Sequence, residues 1–498
     1  MTINNVNTLL SHGNVAGRKI VLEILKAGFT AADPYENTKK LLRIKDEKLF
    51  VGNTNFPVEQ PRGNAIQWDP LVFELSEVKN IYVVGGGKAA QRMAYAIEDV
   101  LGDLITEGQV NAKKGEPKWC KRINVTFAGH PIPDEDGVEG AKRILEIENK
   151  AKNGDIVFFC ESGGGTALLT LPGPGITLED LNEVNRQLYL VHRTSLGNAN
   201  SVRWMLVDLR MRHERYVCKD GATLITIHTD EGSQVIKFGP LSRPLRRDHS
   251  YQYAIDVLKT AKVWDKAPQP VKSYLLKADP RYGPLRPEEV KGKPSYHFRV
   301  MGSEYLLEGA RQKAEELGVE ANIFASSVNG IEARDVAGVM AYLAREIELH
   351  GKPFKPPCVV IFGGEADVTV GPATGMGGRN QEFVLSSAPM IAGSENIVIA
   401  SADSDGTDGP TYVAGGLVDG YTMARAQDAG VDVFEEVANH NSYQVLETLG
   451  DHIVTGARGT NVRDLRIIYV ANRLSKEDLI RYMNRGLLNS SSFHALTK

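Results

Sequence analysis

Three times within about 90 residues, the chain passes from a short apolar run through a loop into a helical pattern. Ile81–Val84 leads into Gly85-Gly86-Gly87-Lys88, and Ile123–Phe127 leads into Gly129-His130-Pro131. Ile156–Cys160 leads into Glu161-Ser162-Gly163-Gly164-Gly165-Thr166. Short continuous apolar runs alternating with helices fit strands covered on both faces, the pattern of an open parallel α/β sheet. Ligands of such sheets sit beyond the carboxyl ends of the strands, where these loops gather. Glycine lets backbone amides approach an anion closely, and a helix N-terminus favours negative charge. The loops at Gly85, Gly86, Gly87 and at Ser162–Thr166 are therefore predicted to favour a phosphorylated or carboxylated ligand. Lys88 adds a flexible cation beside the first loop; the alternative is a lysine solvated at a turn.

The first loop satisfies GxGxxA, a spacing that suggests dinucleotide binding. The acid expected at the end of the next strand is missing, because the chain there reads GQVNAKKGE. The GxxxxGK[ST] spacing of a P-loop is absent too. Leu224–Ile227 reads as a fourth strand, and Asn200 and Arg203 lie at the opening of a helix before it.

A second unit follows from about residue 296, where HFRVMG, a helix and VEANIFAS repeat strand, helix, strand. Cys358–Phe362 is a buried strand that ends in Gly363-Gly364-Glu365 and continues through a short alternating strand, Val368–Val370. A glycine-rich loop then delivers Arg379 and Asn380 to a helix start. Arginine there offers a planar fork suited to phosphate or carboxylate; the alternative is a structural turn whose arginine makes a salt bridge. Ile397–Ala400 empties into Asp403, Asp405 and Asp408 among glycines. That is a candidate Mg²⁺ site, because a hard cation prefers carboxylate oxygen, or else an acidic turn without metal. The expected division is 1–240, a connecting segment 241–295, a second domain 296–470, and a terminal helix in 471–498 packing back on the first domain. The polar stretch from about 48 to 70 reads as a surface loop.

A chain of 498 residues predicts two or more domains. A net charge of −4 argues against nucleic-acid or membrane-surface partners. No apolar run approaches the ~20 residues that span a bilayer, and Met1–Gly13 lacks the basic start and apolar core of a signal peptide. The four scattered cysteines read as buried free thiols. A cytoplasmic protein is expected.

The pieces VVGGGKAA, AGHPIPDEDG, SGGGTALL with ITLEDL, GGEADVTV with GGRNQE, DGTDGP and VTGARGTNVRDLRI stand in this order over roughly residues 80–210 and 355–470. Together they resemble the glycerate 2-kinases that carry a C-terminal MOFRL domain. The resemblance implies two α/β domains with the active site in the cleft between them. The first has a Rossmann-like parallel sheet, and the second is a smaller mixed MOFRL-type domain. It implies transfer of the γ-phosphoryl of ATP to a hydroxyl of D-glycerate, giving 2-phosphoglycerate, with Lys88 and Arg379 as the catalytic cations. Nucleotide phosphates are then expected at Gly85, Gly86, Gly87, Gly375, Gly377, Gly378 and Asn380. The acceptor is expected at Ser162, Gly163, Gly164, Gly165 and Thr166, with His130, Asn200 and Arg203. Carboxylate chemistry, more than the resemblance, points to Asp405 and Asp408, with Glu365, for Mg²⁺. The partners are ATP and a small sugar acid, and a homodimer stays open.

The chain departs from the family pattern in places. Arg203 is followed by Trp204 instead of lysine, LVDLRMRHERYV replaces a KGG turn, and ITIHTDEGS stands where the family has LSDVPGD. Gly302-Ser303-Glu304 replaces GSN. An altered acceptor, a relative without activity, and a hydroxypyruvate reductase remain the alternatives.

Overall fold

The apolar runs pair into sheets covered by helices. The structure, a computed structural model, describes residues 3–53, 69–192, 194, 196–209, 212–230 and 250–484. A small antiparallel sheet comes first, built from Leu42–Lys45 (β1), Lys48–Val51 (β2) and Leu71–Glu74 (β3). The first large sheet contains Ile81–Gly86 (β4), Glu107–Lys113 (β5), Asn124–Ala128 (β6), Ile156–Glu161 (β7), Thr223–Asp230 (β8) and Ser295–Gly302 (β9). All six run parallel, in the order β6-β5-β4-β7-β8-β9. The chain moves outward from β4 to β6, then starts again at β7 on the other side. β4 and β7 therefore flank a topological switch point, the place where open α/β sheets bind their ligands.

The second large sheet contains Glu320–Ala325 (β10), Cys358–Gly364 (β11), Ile397–Asp403 (β12), Gly415–Asp419 (β13), His452–Ile453 (β14) and Asp464–Val470 (β15). Its order is β10-β11-β15-β12-β13-β14; β10 and β11 are parallel and the other pairs antiparallel. Because β15 runs against both neighbours, Asp464 at its start pairs with Gly364 at the end of β11 and Asp403 at the end of β12. This register sets the carboxylates of β12 and β15 side by side next to the end of β11. Among the described residues, no helix is long and apolar enough to cross a membrane.

Several expected boundaries shift. β9 was placed in the second unit, yet it closes the first sheet beside β8, from Leu224 opposite Ser295 to Asp230 opposite Gly302. The crossing between sheets thus falls at Gly302–Ser303, after residue 296. The N-terminal helix Val15–Ala31 does not join the first sheet; it packs on the helix Ser303–Glu316 and on β12 and β15. Its fully buried Arg18 donates through Nε to Asp419 Oδ2 at 2.6 Å and through Nη1 to Asp451 Oδ1 at 2.7 Å. The described part of the connecting segment, from Ser250 onward, is structured: Tyr251–Thr260 and Gln269–Lys277 share an apolar core with helix Leu196–Leu206. The terminal helix Lys476–Asn484 packs on the second unit, with Tyr482 Oη donating to Glu348 Oε1 at 3.5 Å. Residues 54–68, 231–249 and 485–498, which carry parts of three expected segments, lie outside the described residues. Val368–Val370 forms no strand; the pairing there is a single bridge between Glu332 and Asp367. Lys48–Val51, read as loop, is β2.

Candidate active site

The loops after β4 and β7 are knitted together at the switch point. Lys88 N donates to Gly163 O at 2.9 Å, and Ala89 N donates to Ser162 Oγ at 2.8 Å. Gly87 adopts φ +139°, and a Cβ there would strike Ser162 Oγ, so this approach requires glycine. Gly85 and Gly86 lie within β4, where a Cβ would strike Cys160 O and the Leu169 side chain respectively. Both glycines therefore also serve strand packing. Gly164, at φ +81°, is the open turn of the second loop: a Cβ there would lie 3.1 Å from both His130 Nε2 and Lys88 Cγ. Lys88, His130 and Gly164 therefore converge.

Lys88 reaches across to the second sheet, with Nζ 2.7 Å from Asp405 Oδ2. The other oxygen, Asp405 Oδ1, accepts from Thr407 N and Oγ1 at 2.8 Å each, and Thr407 Oγ1 accepts from Lys113 Nζ at 3.3 Å. Burial raises the Asp405 carboxyl, but Lys88 and Lys113 outweigh it and hold it below the usual carboxylate range. Burial, reinforced by Lys88 and Lys113, pushes the His130 imidazole down to about 3. His130 is thus neutral at physiological pH, able to donate or accept one hydrogen bond at each nitrogen.

Arg379 heads the helix Arg379–Ile391, at the junction of β11, β12 and β15. Nε donates to Asp464 Oδ2 at 2.9 Å, Nη2 to Asp403 Oδ2 at 2.6 Å and to Asp464 Oδ1 at 2.9 Å, and Nη1 lies 3.3 Å from Glu365 Oε1. Despite burial, Asp464, Asp403 and Glu365 hold the guanidinium well above its ordinary pKa. The Asp403 carboxyl is pushed up by burial and by Asp405 beside it.

The helix N-terminus beside Arg379 was expected to take nucleotide phosphates. It already holds a carboxylate: Asp408 accepts from Asn380 N at 3.2 Å, Gln381 N at 2.9 Å, Asn380 Nδ2 at 3.1 Å and Gln381 Nε2 at 3.0 Å. Asn380 is also bonded to Asp464 and Ser401. A Cβ on Gly375, Gly377 or Gly378 would strike Asn439 O, Ser442 Oγ or Asp408. These glycines admit close chain packing, and Asn380 is already engaged by Asp408, Asp464 and Ser401.

The expected metal set does not assemble. Asp408 caps a helix, Asp405 holds Lys88, and Glu365 stands beside Arg379 and, at 3.8 Å, Arg463. Among the described residues, no three His, Cys, Asp or Glu side chains gather as metal ligands.

On the acceptor side, Ser162 is buried and holds Ala89, which leaves Gly164 facing His130. Trp204 Nε1 donates to Thr166 Oγ1 at 3.2 Å. Arg203 Nη1 donates to Asn200 Oδ1 and Tyr189 Oη at 3.3 Å each, and its charge reaches His130. Sequence reasoning missed Lys113, Glu116 and Asp464, and it read Asp403 as a candidate metal ligand where the structure pairs it with Arg379. Lys113 and Glu116 stand in the run noted only for a missing acid, and Asp403 and Asp464 acquire meaning from strand register.

Two family models match the chain: "Domain of unknown function (DUF4147)" over residues 20–276 and "MOFRL family" over residues 358–464. A glycerate 2-kinase of Pyrococcus horikoshii is 34% identical over 460 residues, covering 92% of this chain and 98% of the relative. A putative hydroxypyruvate reductase of Agrobacterium vitis is 30% identical, with 93% and 96% covered. The crystal structure of a glycerate kinase from Thermotoga maritima matches with TM-score 0.70 and 29% identity, covering 91% of this chain and 99% of that one.

Proposed function

The chain belongs to the glycerate kinase family, and we propose that it transfers the γ-phosphoryl group of ATP to the 2-hydroxyl of glycerate or of a related small sugar acid. The observation that supports this reading best is the convergence of Lys88, His130 and the Gly164 turn at the switch point, facing Asp405 of the second sheet. Phosphoryl transfer needs positioning and charge neutralisation more than covalent chemistry. Lys88, exchanging Asp405 for phosphate, neutralises the transferring group. Arg379 is fixed by Asp464 and Asp403 and offers Nη1, whose contact with the half-exposed Glu365 is its longest. A phosphate oxygen replaces that carboxylate at the smallest loss. Gly163–Thr166 and Arg203 hold the acceptor carboxylate, and neutral His130 hydrogen-bonds an acceptor hydroxyl.

The described carboxylates do not fit a Mg²⁺ cage. Mg²⁺ at kinase sites is held largely by substrate phosphates and water, with one or two carboxylates. A reductase reading follows from the name of the Agrobacterium relative. It is disfavoured because β5 ends in Lys113, where a dinucleotide fold places the ribose-binding acid.

The test is ADP release with ATP and Mg²⁺ across D-glycerate, L-glycerate and four- and five-carbon aldonates, using the wild type and Lys88→Ala. Turnover of D-glycerate that disappears in Lys88→Ala is expected. Turnover of a longer acid alone moves the acceptor and makes Trp204 the pocket's defining wall. No ADP with any acid, together with NADH oxidation by hydroxypyruvate, overturns the kinase reading.

A further inference from the structure

Glu116 is a carboxyl that the roles above leave unused. It lies three residues beyond β5, on the carboxyl edge of the first sheet, and its N–H closes a turn on Lys113 O at 3.3 Å. The segment after it is pinned to the helix that follows Lys88: Gln91 Nε2 donates to Pro117 O at 3.2 Å, and Trp119 N donates to Gln91 Oε1 at 2.7 Å. Glu116 is thereby held between the end of β5 and the Lys88 loop. Its Oε2 is buried and has no hydrogen-bond partner among the described residues. A buried carboxyl oxygen left unpaired costs free energy unless a ligand completes it, and such groups cluster at functional sites. The charged groups facing it are Lys113 from β5, Asp405 from the loop after β12, and Lys88.

We propose that Glu116 is the base of the phosphoryl transfer, taking the proton of the acceptor hydroxyl through Oε2. This assignment rests on the kinase reading. The acceptor O–H bond breaks and its proton passes to the Glu116 carboxylate. The freed oxygen pair forms the bond to the γ-phosphorus of ATP, and the bond from that phosphorus to the bridging oxygen breaks to release ADP. The proton then leaves to solvent. Burial, with Asp405 adding and the two lysines opposing, pushes this carboxyl up to about 8. A carboxylate of that basicity is matched to accepting a hydroxyl proton near neutral pH.

The experiment is steady-state kinase kinetics from pH 6 to 9 on the full chain and on Glu116→Gln. The wild-type kcat is expected to climb toward a plateau above about pH 8. In Glu116→Gln, kcat is expected to fall about 100-fold, KM for ATP and acid to stay within about threefold, and the climb with pH to vanish. A Glu116→Gln enzyme that keeps its rate, or that loses rate but keeps the climb, overturns the assignment. If Glu116→Gln does not fold, Glu116→Asp takes its place. A lowered kcat with the climb retained then supports the base, and an unchanged kcat overturns it. A wild type that phosphorylates no acid overturns the kinase reading and this assignment together; an active wild type isolates the assignment.

Discussion

Lys88 Nζ lies 2.7 Å from Asp405 Oδ2, an ion pair that ties the switch-point loop of the first sheet to the loop after β12 in the second. Both side chains are largely buried, so each is the other's main compensation for lost water. The pair ties the two sheets together, and in the proposed reaction phosphate competes with Asp405 for the same cation.

Lys88→Met separates these roles. It leaves Asp405 buried with Thr407 and Lys113 alone, and a broken buried pair costs about 3–5 kcal/mol at most; residual exposure of Lys88 places the expected loss at about 2. The pH dependence carries the same information. Asp405 has its folded pKa depressed, so its stabilisation is present above the unfolded value near 4 and is lost as pH falls through the folded value. In Lys88→Met the depression shrinks, and urea unfolding curves at pH 7 and pH 3 should lie closer together than in the wild type. Activity should fall about 100-fold or more.

Asp408→Ala distinguishes a helix cap from a metal ligand. The substitution strips the acceptor from two backbone amides and two side-chain amides of Asn380 and Gln381. Loss of a buried charged cap is expected to cost about 2–3 kcal/mol and to lower kcat by loosening Arg379. The Mg²⁺ concentration giving half-maximal rate should stay unchanged, as measured by titrating metal at fixed ATP. A large rise in that concentration would return Asp408 to the metal.

The parts of this molecule that were legible in sequence are those written in local pattern. The strands at Ile81, Ile123, Ile156, Leu224, Cys358 and Ile397 are apolar runs bounded by loops, and the structure has a strand at each. β5 was not read, because buried Gln109 and Asn111 interrupt its apolar character. Gln109 Nε2 donates to Thr126 Oγ1, and Asn111 Nδ2 donates to the carbonyls of Gly137 and Leu168, partners remote in sequence. β9 was read as a strand but assigned to the sheet that follows it in the chain, since pairing with β8 leaves no mark on periodicity. The glycine loop before Arg379 shows the converse limit. Its composition suited an anion, and the anion is the protein's own Asp408, supplied from another strand's loop.

His130 predicts a pH effect on stability. Its folded pKa of about 3 lies below the ordinary value of 6.5, so between these values the unfolded chain holds a proton that the folded chain refuses. Stability therefore falls as pH drops below about 6, by about 1.4 kcal/mol per pH unit for one such group. His452, pushed by burial to about 4, adds a similar slope over a narrower window. His130→Gln should remove its share and flatten the curve between pH 6 and 4. Chemical denaturation at half-unit pH steps reads the difference, and a slope unchanged by the substitution would mean that His130 is accessible to solvent protons.

Arg18→Met tests where the N-terminal helix belongs. Arg18 donates to Asp419 and Asp451, and Asp451 is also held by Arg425 Nη1 at 3.0 Å and His12 Nε2 at 2.8 Å. Methionine keeps much of the volume but leaves Asp419 buried without its cation. Breaking such a pair costs about 3–5 kcal/mol, concentrated where the helix meets the second sheet. Hydrogen exchange should therefore accelerate in Val15–Ala31 and in β12 and β13, and the central strands β4 and β7 of the first sheet should stay protected. Had the helix belonged to the first sheet, as its place in the chain suggests, protection would be lost in β4 and β7 instead.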